Sequence, residues 1–502
     1  MNLSLLSDMA ADAYGGRALM GTRGASYSAI DIKLMSVVGA ALLRERDASA
    51  LIYLDVNGPA FPVALFAASR AGVPLVPLNY RLDRDRLADM IAKHPGSVAI
   101  TSAAYAPLFA TAGVPVFGTQ EWLAATSVGQ IGEEQPTDTG APAVIIYTSG
   151  TTSEPKGVLL RHENLVSYVL GTVEFAGAEP ADAALVSVPP YHVAAVANAI
   201  TNLYAGRRCI VLENFTGPEW LELVRAEGVT NALVVPTMLA RIMDSGEDLS
   251  VPSLRTLAYG GASMPQRVIE RALLAWPHVG FVNAYGLTET SSTIAVLGPD
   301  DHRSAFASSE PHVRARLASA GQAVPTVQMQ IRDEQGNERP PGEVGRIWVR
   351  GNQVSGEYAG LGSVLDDEGW FDTRDEGYLD EAGYLFVGGR TDDTIIRGGE
   401  NVAPAQIEDV LLARADVGDA AVVGVPDEVW GQRIEAIVVP VSGRAVDPDE
   451  IRLELRRLLR SSLTPDRIHV WDALPRTETG KLVRRDVAQL LAERTQHAGA
   501  HD

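Results

Sequence analysis

Lysine and clustered hydroxyl residues between two apolar runs are the first sign of chemistry in this chain. Val144 to Gly157 reads Val-Ile-Ile-Tyr-Thr-Ser-Gly-Thr-Thr-Ser-Glu-Pro-Lys-Gly, and Val158-Leu159-Leu160 follows. A β-branched run, a loop and a second apolar run predict strand, loop, strand. Thr148, Ser149, Thr151, Thr152 and Ser153 crowd hydroxyl donors around Gly150, and Lys156 adds a charge. Hydroxyls, inward backbone N–H groups and one lysine make a cradle for phosphate oxygens. The run is no Walker A loop, because Lys156 precedes Gly157 and no helix signal stands behind it. A Ser/Thr-rich surface loop is the plainer reading of the same letters.

Six further strings lie downstream. Val186 to His192 ends an apolar run in Pro-Pro-Tyr-His, Tyr259 to Ser263 reads Tyr-Gly-Gly-Ala-Ser, and Asn283 to Thr290 reads Asn-Ala-Tyr-Gly-Leu-Thr-Glu-Thr. Gly369 to Asp375 reads Gly-Trp-Phe-Asp-Thr-Arg-Asp, Gly388 to Asn401 is rich in Arg, Asp and Gly, and Pro475 to Leu482 carries Gly480-Lys481. Adjacent Gly260 and Gly261 at a strand end let a flat ring approach the backbone. Glu289 offers the hard oxygen that magnesium prefers, and Asp375 can accept from two hydroxyls at once. Lys481, behind a glycine turn, has a mobile charged head. Alone, each has a bland alternative: a hydrogen-bonded His192, a simple turn at 260–263, a paired Arg390–Asp392 turn.

Taken together and in this order, the strings resemble the adenylate-forming superfamily, in its acyl-CoA synthetase branch. The resemblance covers nearly the whole chain. It implies that Thr148, Ser149, Gly150, Thr151, Thr152 and Lys156 hold phosphates, and that Gly261, Ala262, Asn283, Ala284, Tyr285 and Gly286 surround adenine. Asp375 and Arg390 then bind ribose or phosphate, with Asp372 a less favoured ribose ligand one step out of register. Thr288 faces the α-phosphate, and Glu289 with Thr148 serves magnesium. Tyr191, His192, Val235, Gly260 and Gly261 line the acyl pocket, and Lys481 bridges carboxylate and α-phosphate. Asp392 is the implied hinge, and Gly398, Gly399 and Glu400 flank the CoA tunnel. Departures from the family pattern are Ser153, Ala195, Ser263, Arg374 in place of a usual glycine, and Ile396 where many relatives carry lysine.

The implied activity is ATP-dependent conversion of a hydrophobic carboxylic acid to an acyl-adenylate, with pyrophosphate leaving, then to acyl-CoA with release of AMP. ATP, Mg2+ and CoA are the implied cofactors. One alternative is an adenylation-only enzyme that passes the adenylate to a carrier protein or partner enzyme. A second is a non-catalytic nucleotide-binding protein. The segments 235–238 and 291–295 are small and apolar and hold no arginine placed for a dicarboxylate, which favours a hydrophobic monocarboxylate.

The elements that must position these groups follow from length and pattern. At 502 residues the chain is long enough for two or more domains. Strand 50–55, helix 62–71 and strand 73–77 alternate, as in a mostly parallel sheet covered by helices. Segment 230–240 reads as a strand entering a helix near Pro236, and 321–351 as a small antiparallel sheet or barrel. Strands near 420–424 and 435–439 and a helix from Asp449, with a solvated or CoA-facing face of Arg452, Arg456, Arg457 and Arg460, make a compact last module. The expected fold is α/β: a large N-terminal domain over 1–390 (two α/β subdomains plus a small β-barrel) and a small mobile C-terminal α+β lid over 393–502.

Net charge of −21 argues against nucleic acid or an anionic membrane as the main partner, so an anionic ligand needs a local basic pocket. No apolar run reaches membrane-spanning length, and Asp8 and Asp12 speak against a secretory leader. A single cysteine, Cys209, in an apolar run reads as a buried thiol in a reducing cytoplasm. A homodimer is left open.

Overall fold

The computed structural model describes residues 1–128, 140–148, 155–390, 393–397, 400–427, 430–459, 463–477 and 480–498. Two large sheets carry the N-terminal part. The first has eight strands, with Val144–Thr148 and Leu75–Pro77 side by side at its centre and Lys156–Leu160 antiparallel to the former. The second has nine, with Gly280–Leu287, Thr256–Gly260, Asn231–Val234, Ala183–Val186, Arg208–Val211 and Ala18–Thr22 as successive parallel neighbours.

The alternation expected from the sequence is present as strand Leu51–Leu54, helix Ala60–Ala71 and strand Leu75–Pro77. All four residues of the first strand are buried, as are eleven of the helix's twelve. A parallel strand covered on both faces has no solvent side, which is why Leu-Ile-Tyr-Leu shows no polar alternation. The helix is apolar all round because it lies between the sheet and helix Ala29–Arg44, to which Gly39 and Ala67 allow close approach. The strand-to-helix passage expected at Pro236 is also found, as Asn231–Val234 and Pro236–Met243. Pro236 stands at the first helical position, where its missing N–H costs nothing.

Where a small β-barrel is expected, the structure has a four-stranded antiparallel sheet, Gln328–Arg332, Gly345–Arg350, Phe371–Leu379 and Leu385–Arg390 in that spatial order. Its two edge strands are not paired with each other, so no closed ring forms. Closure requires a consistent tilt and stagger of every strand, which four short strands do not supply. The sheet's core, with Ile331, Ile347, Val349, Phe371 and Leu385, joins Ile294 and Ala295 of the nine-stranded sheet.

The last module is mixed. Val417–Asp427 and Gly431–Pro440 form a long hairpin, Ile395–Arg397 and Glu400–Val402 extend one side, and Arg467–Val470 runs parallel to the hairpin's second strand. Helices Pro404–Leu412 and Pro448–Leu458 cover it through Ile407, Leu411, Ile451 and Leu455. Cys209 lies buried in its parallel strand, and burial pushes its thiol up to about 12. No helix of the described residues is long and apolar enough to cross a membrane.

Candidate active site

One continuous cleft of about 2640 Å³ collects the strings singled out in the sequence. It is lined from the N-terminal sheets by Thr148, Lys156, Tyr191, His192, Val235, Gly260, Gly261 and Ala262, and by Asn283, Ala284, Tyr285, Gly286, Thr288, Glu289 and Asp375. Lys481 reaches it from the C-terminal module. Ser149, Gly150, Thr151, Thr152, Asp392, Gly398 and Gly399 lie outside the described residues. For Arg390 and Glu400 only the backbone is described: Arg390 stands opposite Asp375 in the small sheet, and Glu400 opposite Arg397.

Lys156 is brought to the cleft by the hairpin register, which sets it across from Thr148. Its ammonium lies 5.9 Å from the ring centre of Tyr358. The same tyrosine donates its hydroxyl hydrogen to Glu289 Oε1 at 2.8 Å. Glu289 sits in the short turn Thr288–Thr290, whose backbone is tied down where Ser355 N–H donates to the Glu289 carbonyl at 2.8 Å. A lysine, a phenol and a carboxylate are thus fixed relative to one another from three different segments.

The strand Gly280–Leu287 presents Tyr285 and Asn283 to the same space. Its register with Ser292–Leu297 shifts after Tyr285, and a side-chain carbon on Gly286 would lie 1.7 Å from the Ser292 carbonyl oxygen. Only glycine fits such a bulge, and the bulge re-aims the strand end toward the turn holding Glu289. Asn283 donates from Nδ2 to the Ser319 carbonyl at 2.9 Å, which fixes the orientation of its amide. Tyr285 donates to Asp375 Oδ2 at 2.6 Å.

Asp375 is buried, and its N–H donates to Thr373 Oγ1 at 3.1 Å. Asp372, the out-of-register alternative, pairs instead with Arg346 at 2.8 Å and accepts from the Arg374 N–H at 2.9 Å. Arg374, where the family pattern has glycine, adopts φ 61, a left-handed conformation that glycine takes without steric cost. The backbone shape is therefore kept although the residue type is not.

Elsewhere in the cleft, Tyr191 packs edge-on against Tyr80 with ring centres 5.4 Å apart, and the His192 ring centre lies 4.7 Å from that of Tyr191. His192 stands at the N-cap position of helix Val193–Ala205, and its side chain makes no capping hydrogen bond. Burial pushes its imidazole down to about 4, so the ring is neutral near pH 7.

Lys481 is carried by a turn in which Thr477 N–H donates to the Lys481 carbonyl at 2.8 Å and Lys481 N–H to Thr477 Oγ1 at 3.0 Å. Gly480 has φ 73, and a side-chain carbon there would lie 2.3 Å from Thr237 Oγ1. Glycine thus lets the turn seat directly on the N-terminus of helix Pro236–Met243. Arg476 holds the turn from behind, donating to the Gly480 carbonyl at 2.6 Å and gripping both oxygens of Asp419 at 2.9 and 2.6 Å. Arg267 of the N-terminal part donates to the Val417 carbonyl at 2.6 Å, a second tie across the cleft. Tyr358, Asp419 and Arg267 lie in none of the sequence strings; Arg476 stands inside the Pro475–Leu482 string and Thr237 inside segment 235–238, and neither is given a role there.

The residues fit a magnesium ion that arrives with a triphosphate. Glu289 provides one carboxylate fixed by Tyr358, and the Thr148 hydroxyl lines the same cleft. Among the described residues no group of three or more His, Cys, Asp or Glu side chains could hold a metal. Magnesium bound through one carboxylate, phosphates and waters requires no such group.

Comparison with known proteins bears on the whole chain. The family model described as AMP-binding enzyme matches residues 16–359, and that of the AMP-binding enzyme C-terminal domain matches 406–481. The chain is 33% identical over 470 residues to indoleacetate–CoA ligase of Aromatoleum aromaticum, with 89% of each protein covered. It is 31% identical over 456 residues to the fatty acid–[acyl-carrier-protein] ligase ScoC of Streptomyces coeruleorubidus, covering 87% of this chain and 85% of that protein. Among solved structures, ATP-bound MatB from Rhodopseudomonas palustris is similar with a TM-score of 0.86 and 25% identity, over 98% of this chain and 99% of that one.

Proposed function

Since the chain belongs to the AMP-binding enzyme family, we propose that it is an AMP-forming acyl-CoA ligase with the residues of its cleft in the following roles. An oxygen of the acid's carboxylate attacks the α-phosphorus of ATP, and pyrophosphate leaves. The thiol sulfur of CoA then attacks the acyl carbon, and AMP leaves. Bringing a carboxylate to a triphosphate joins two anions, so the barrier falls when the charges are offset and the attack is held in line.

The observation that carries this reading is the convergence of Lys481 with Glu289, Asp375 and His192 in one cleft, although the lysine comes from the C-terminal module. Lys481 offsets the charge between carboxylate and α-phosphate, and Lys156 offsets it at the leaving pyrophosphate. Magnesium, when bound through Glu289, neutralises phosphate charge. Asp375 accepts from the ribose hydroxyls, Tyr285 lies against adenine, and Asn283 faces its edge. Neutral His192 and Tyr191 border the acid without placing a charge in the apolar pocket. Thr288 faces the α-phosphate.

We take the N-terminal domain as 1–390 and the C-terminal lid as 393–502, with Asp392 as the hinge about which the small domain turns for the thiol step; the family matches to 16–359 and 406–481 support a division in the stretch between them. Cytoplasmic location is proposed from the single, buried cysteine. Incubation with ATP, magnesium, a panel of acids and CoA, with mass detection of thioesters and a pyrophosphate assay, tests the reading. Thioester formation with stoichiometric pyrophosphate is expected; pyrophosphate-free ADP formation would overturn it.

A second reading, transfer to a carrier protein, is favoured by one residue and one relative. Ile396, where the family pattern often has lysine, is 57% exposed on its strand, and the relative ScoC is a carrier-protein ligase by name. Adenylate accumulating with CoA but discharged by a phosphopantetheinyl carrier protein would establish it.

A further inference from the structure

The cleft continues past the residues assigned above, along the full length of helix Val193–Ala205. Ala194, Ala197, Asn198, Thr201, Asn202 and Ala205 line it, at the spacing of a single helix face. His192 stands at the start of that face and Arg207 just past its end, and both line the cleft. At 1.5 Å per residue the helix makes this arm roughly 20 Å long. The arm is apolar near His192, where Ala194 and Ala197 face it, and polar at the far end.

Arg207 is unusual there. Its Nη1 donates to Asn202 Oδ1 at 2.8 Å, and Asn202 donates in turn to the Asn198 carbonyl at 2.9 Å. No other hydrogen bond from the guanidinium is formed among the described residues, and its buried Nε has no partner. It forms no ion pair among them either; Glu174, which also borders this end, is exposed and does not pair with it. Burial lowers the pKa of the group, and no carboxylate offsets the loss of water. A half-buried cation that the protein leaves uncompensated is costly unless a ligand supplies the counter-charge. A planar fork oriented by one asparagine is the arrangement that receives a carboxylate with two parallel hydrogen bonds.

We propose that Arg207 binds a second carboxylate at the far end of the acyl cavity, so that the acids activated are elongated, apolar in the middle and anionic at both ends. This rests on the ligase reading above and names its substrate class. Asn202 is a positioning residue that holds the guanidinium toward the cavity. The apolar pocket segments 235–238 and 291–295 remain the walls for the middle of such an acid, and the arginine comes from a part of the sequence far from either.

The test is a pyrophosphate-release assay with a homologous series of α,ω-dicarboxylic acids and the methyl-ended monocarboxylic acids of equal length. The wild type is expected to favour the dicarboxylic member at the best length by tenfold or more in kcat/KM, since a site built to hydrogen-bond a group rejects analogues that lack it. Arg207→Met should reverse that preference, and Arg207→Lys should restore part of it, because the charge returns without the fork. If Arg207→Met does not fold, as judged by its melting curve, the wild-type series and Arg207→Lys still decide. A wild type that favours methyl-ended acids at every length, or an unchanged ratio in a folded Arg207 variant, overturns the proposal and leaves the ligase reading standing. If neither series yields pyrophosphate while another acid of the panel does, this proposal fails and the ligase reading stands; if no acid of the panel does, the ligase reading fails, and this one with it.

Discussion

The phenol of Tyr285 donates to Asp375 Oδ2 at 2.6 Å across the junction between the nine-stranded sheet and the small antiparallel sheet. The bond holds a buried carboxylate at the cleft, whereas Asp372, three residues earlier, also borders the cleft but is already paired with Arg346. Asp375→Ala is therefore expected to raise the KM for ATP by roughly tenfold to a hundredfold, the range for hydrogen bonds to a charged group. Asp372→Ala should change it little. Initial-rate measurements over ATP concentration check both; a reversed order would shift the ribose site to Asp372.

The magnesium dependence should report on the contact of Tyr358 with Glu289. Glu289→Gln keeps the shape and the hydrogen bond but removes the charge a hard cation prefers. Its activity is expected to require several times more magnesium than the wild type, with melting temperature unchanged. Tyr358→Phe should give a smaller shift in the same direction, since the carboxylate remains but is no longer held. Titration of magnesium at fixed ATP measures both, and a Glu289→Gln curve that overlays the wild type would remove Glu289 from the ligands.

How far the strings in the sequence foretell this site depends on the distance over which a residue acts. Tyr285, Glu289, Asp375 and Lys481 are legible because each sits in a local run whose turn chemistry and neighbours are contiguous in the chain. Their supports are not. Tyr358 is 69 residues from Glu289 and Asp419 is 57 from Arg476, and such partners carry no local pattern. The alternation of strands and helices is similarly readable, since burial on both faces leaves an apolar signature. The crossing of the chain between sheets is not: the hairpin of Ala18–Thr22 and Ala25–Ser28 joins Arg208–Val211 in the nine-stranded sheet, while the next strand along the chain, Leu51–Leu54, belongs to the eight-stranded one. Arg207 follows an ordinary helix end, and only the cavity running the length of that helix gives it a meaning.

Acid should weaken the fold through its buried histidines. His162 is buried, accepts the Leu3 N–H on Nδ1 at 3.2 Å, and has Nε2 without a partner. Burial, with the N-terminal ammonium second, pushes it down to about 4. An unfolded chain takes up this proton near pH 6.5 and the folded one does not until about 4. The stabilisation from keeping His162 neutral is thus complete above pH 6.5 and is lost as pH falls through that window, by about 1.4 kcal/mol per pH unit. His162→Gln should be less stable than the wild type at pH 7.5, and the gap should narrow by pH 5. Denaturant unfolding of both proteins at the two pH values measures this, and a gap that stays constant would show that His162 is protonated in the fold.

In the role proposed for Lys481, the turn that carries it serves one half-reaction only. Its charge would offset the repulsion between carboxylate and α-phosphate, a task that ends once pyrophosphate has gone. Lys481→Ala is expected to lower acid-dependent ATP–pyrophosphate exchange by at least a hundredfold, yet to convert supplied acyl-adenylate to thioester with CoA at a rate near the wild type. The strap behind it predicts a graded version. Arg476 joins the Gly480 carbonyl to Asp419, so Arg476→Met should loosen the turn and slow exchange less than Lys481→Ala does, because the ammonium survives but is no longer held. Asp419→Asn should resemble Arg476→Met, and the double variant should be no slower than either alone if the two act as one unit. Equal loss of both half-reactions in a folded Lys481→Ala would mean that the lysine also serves the thiol step, and the division between them would have to be redrawn around another residue of the cleft.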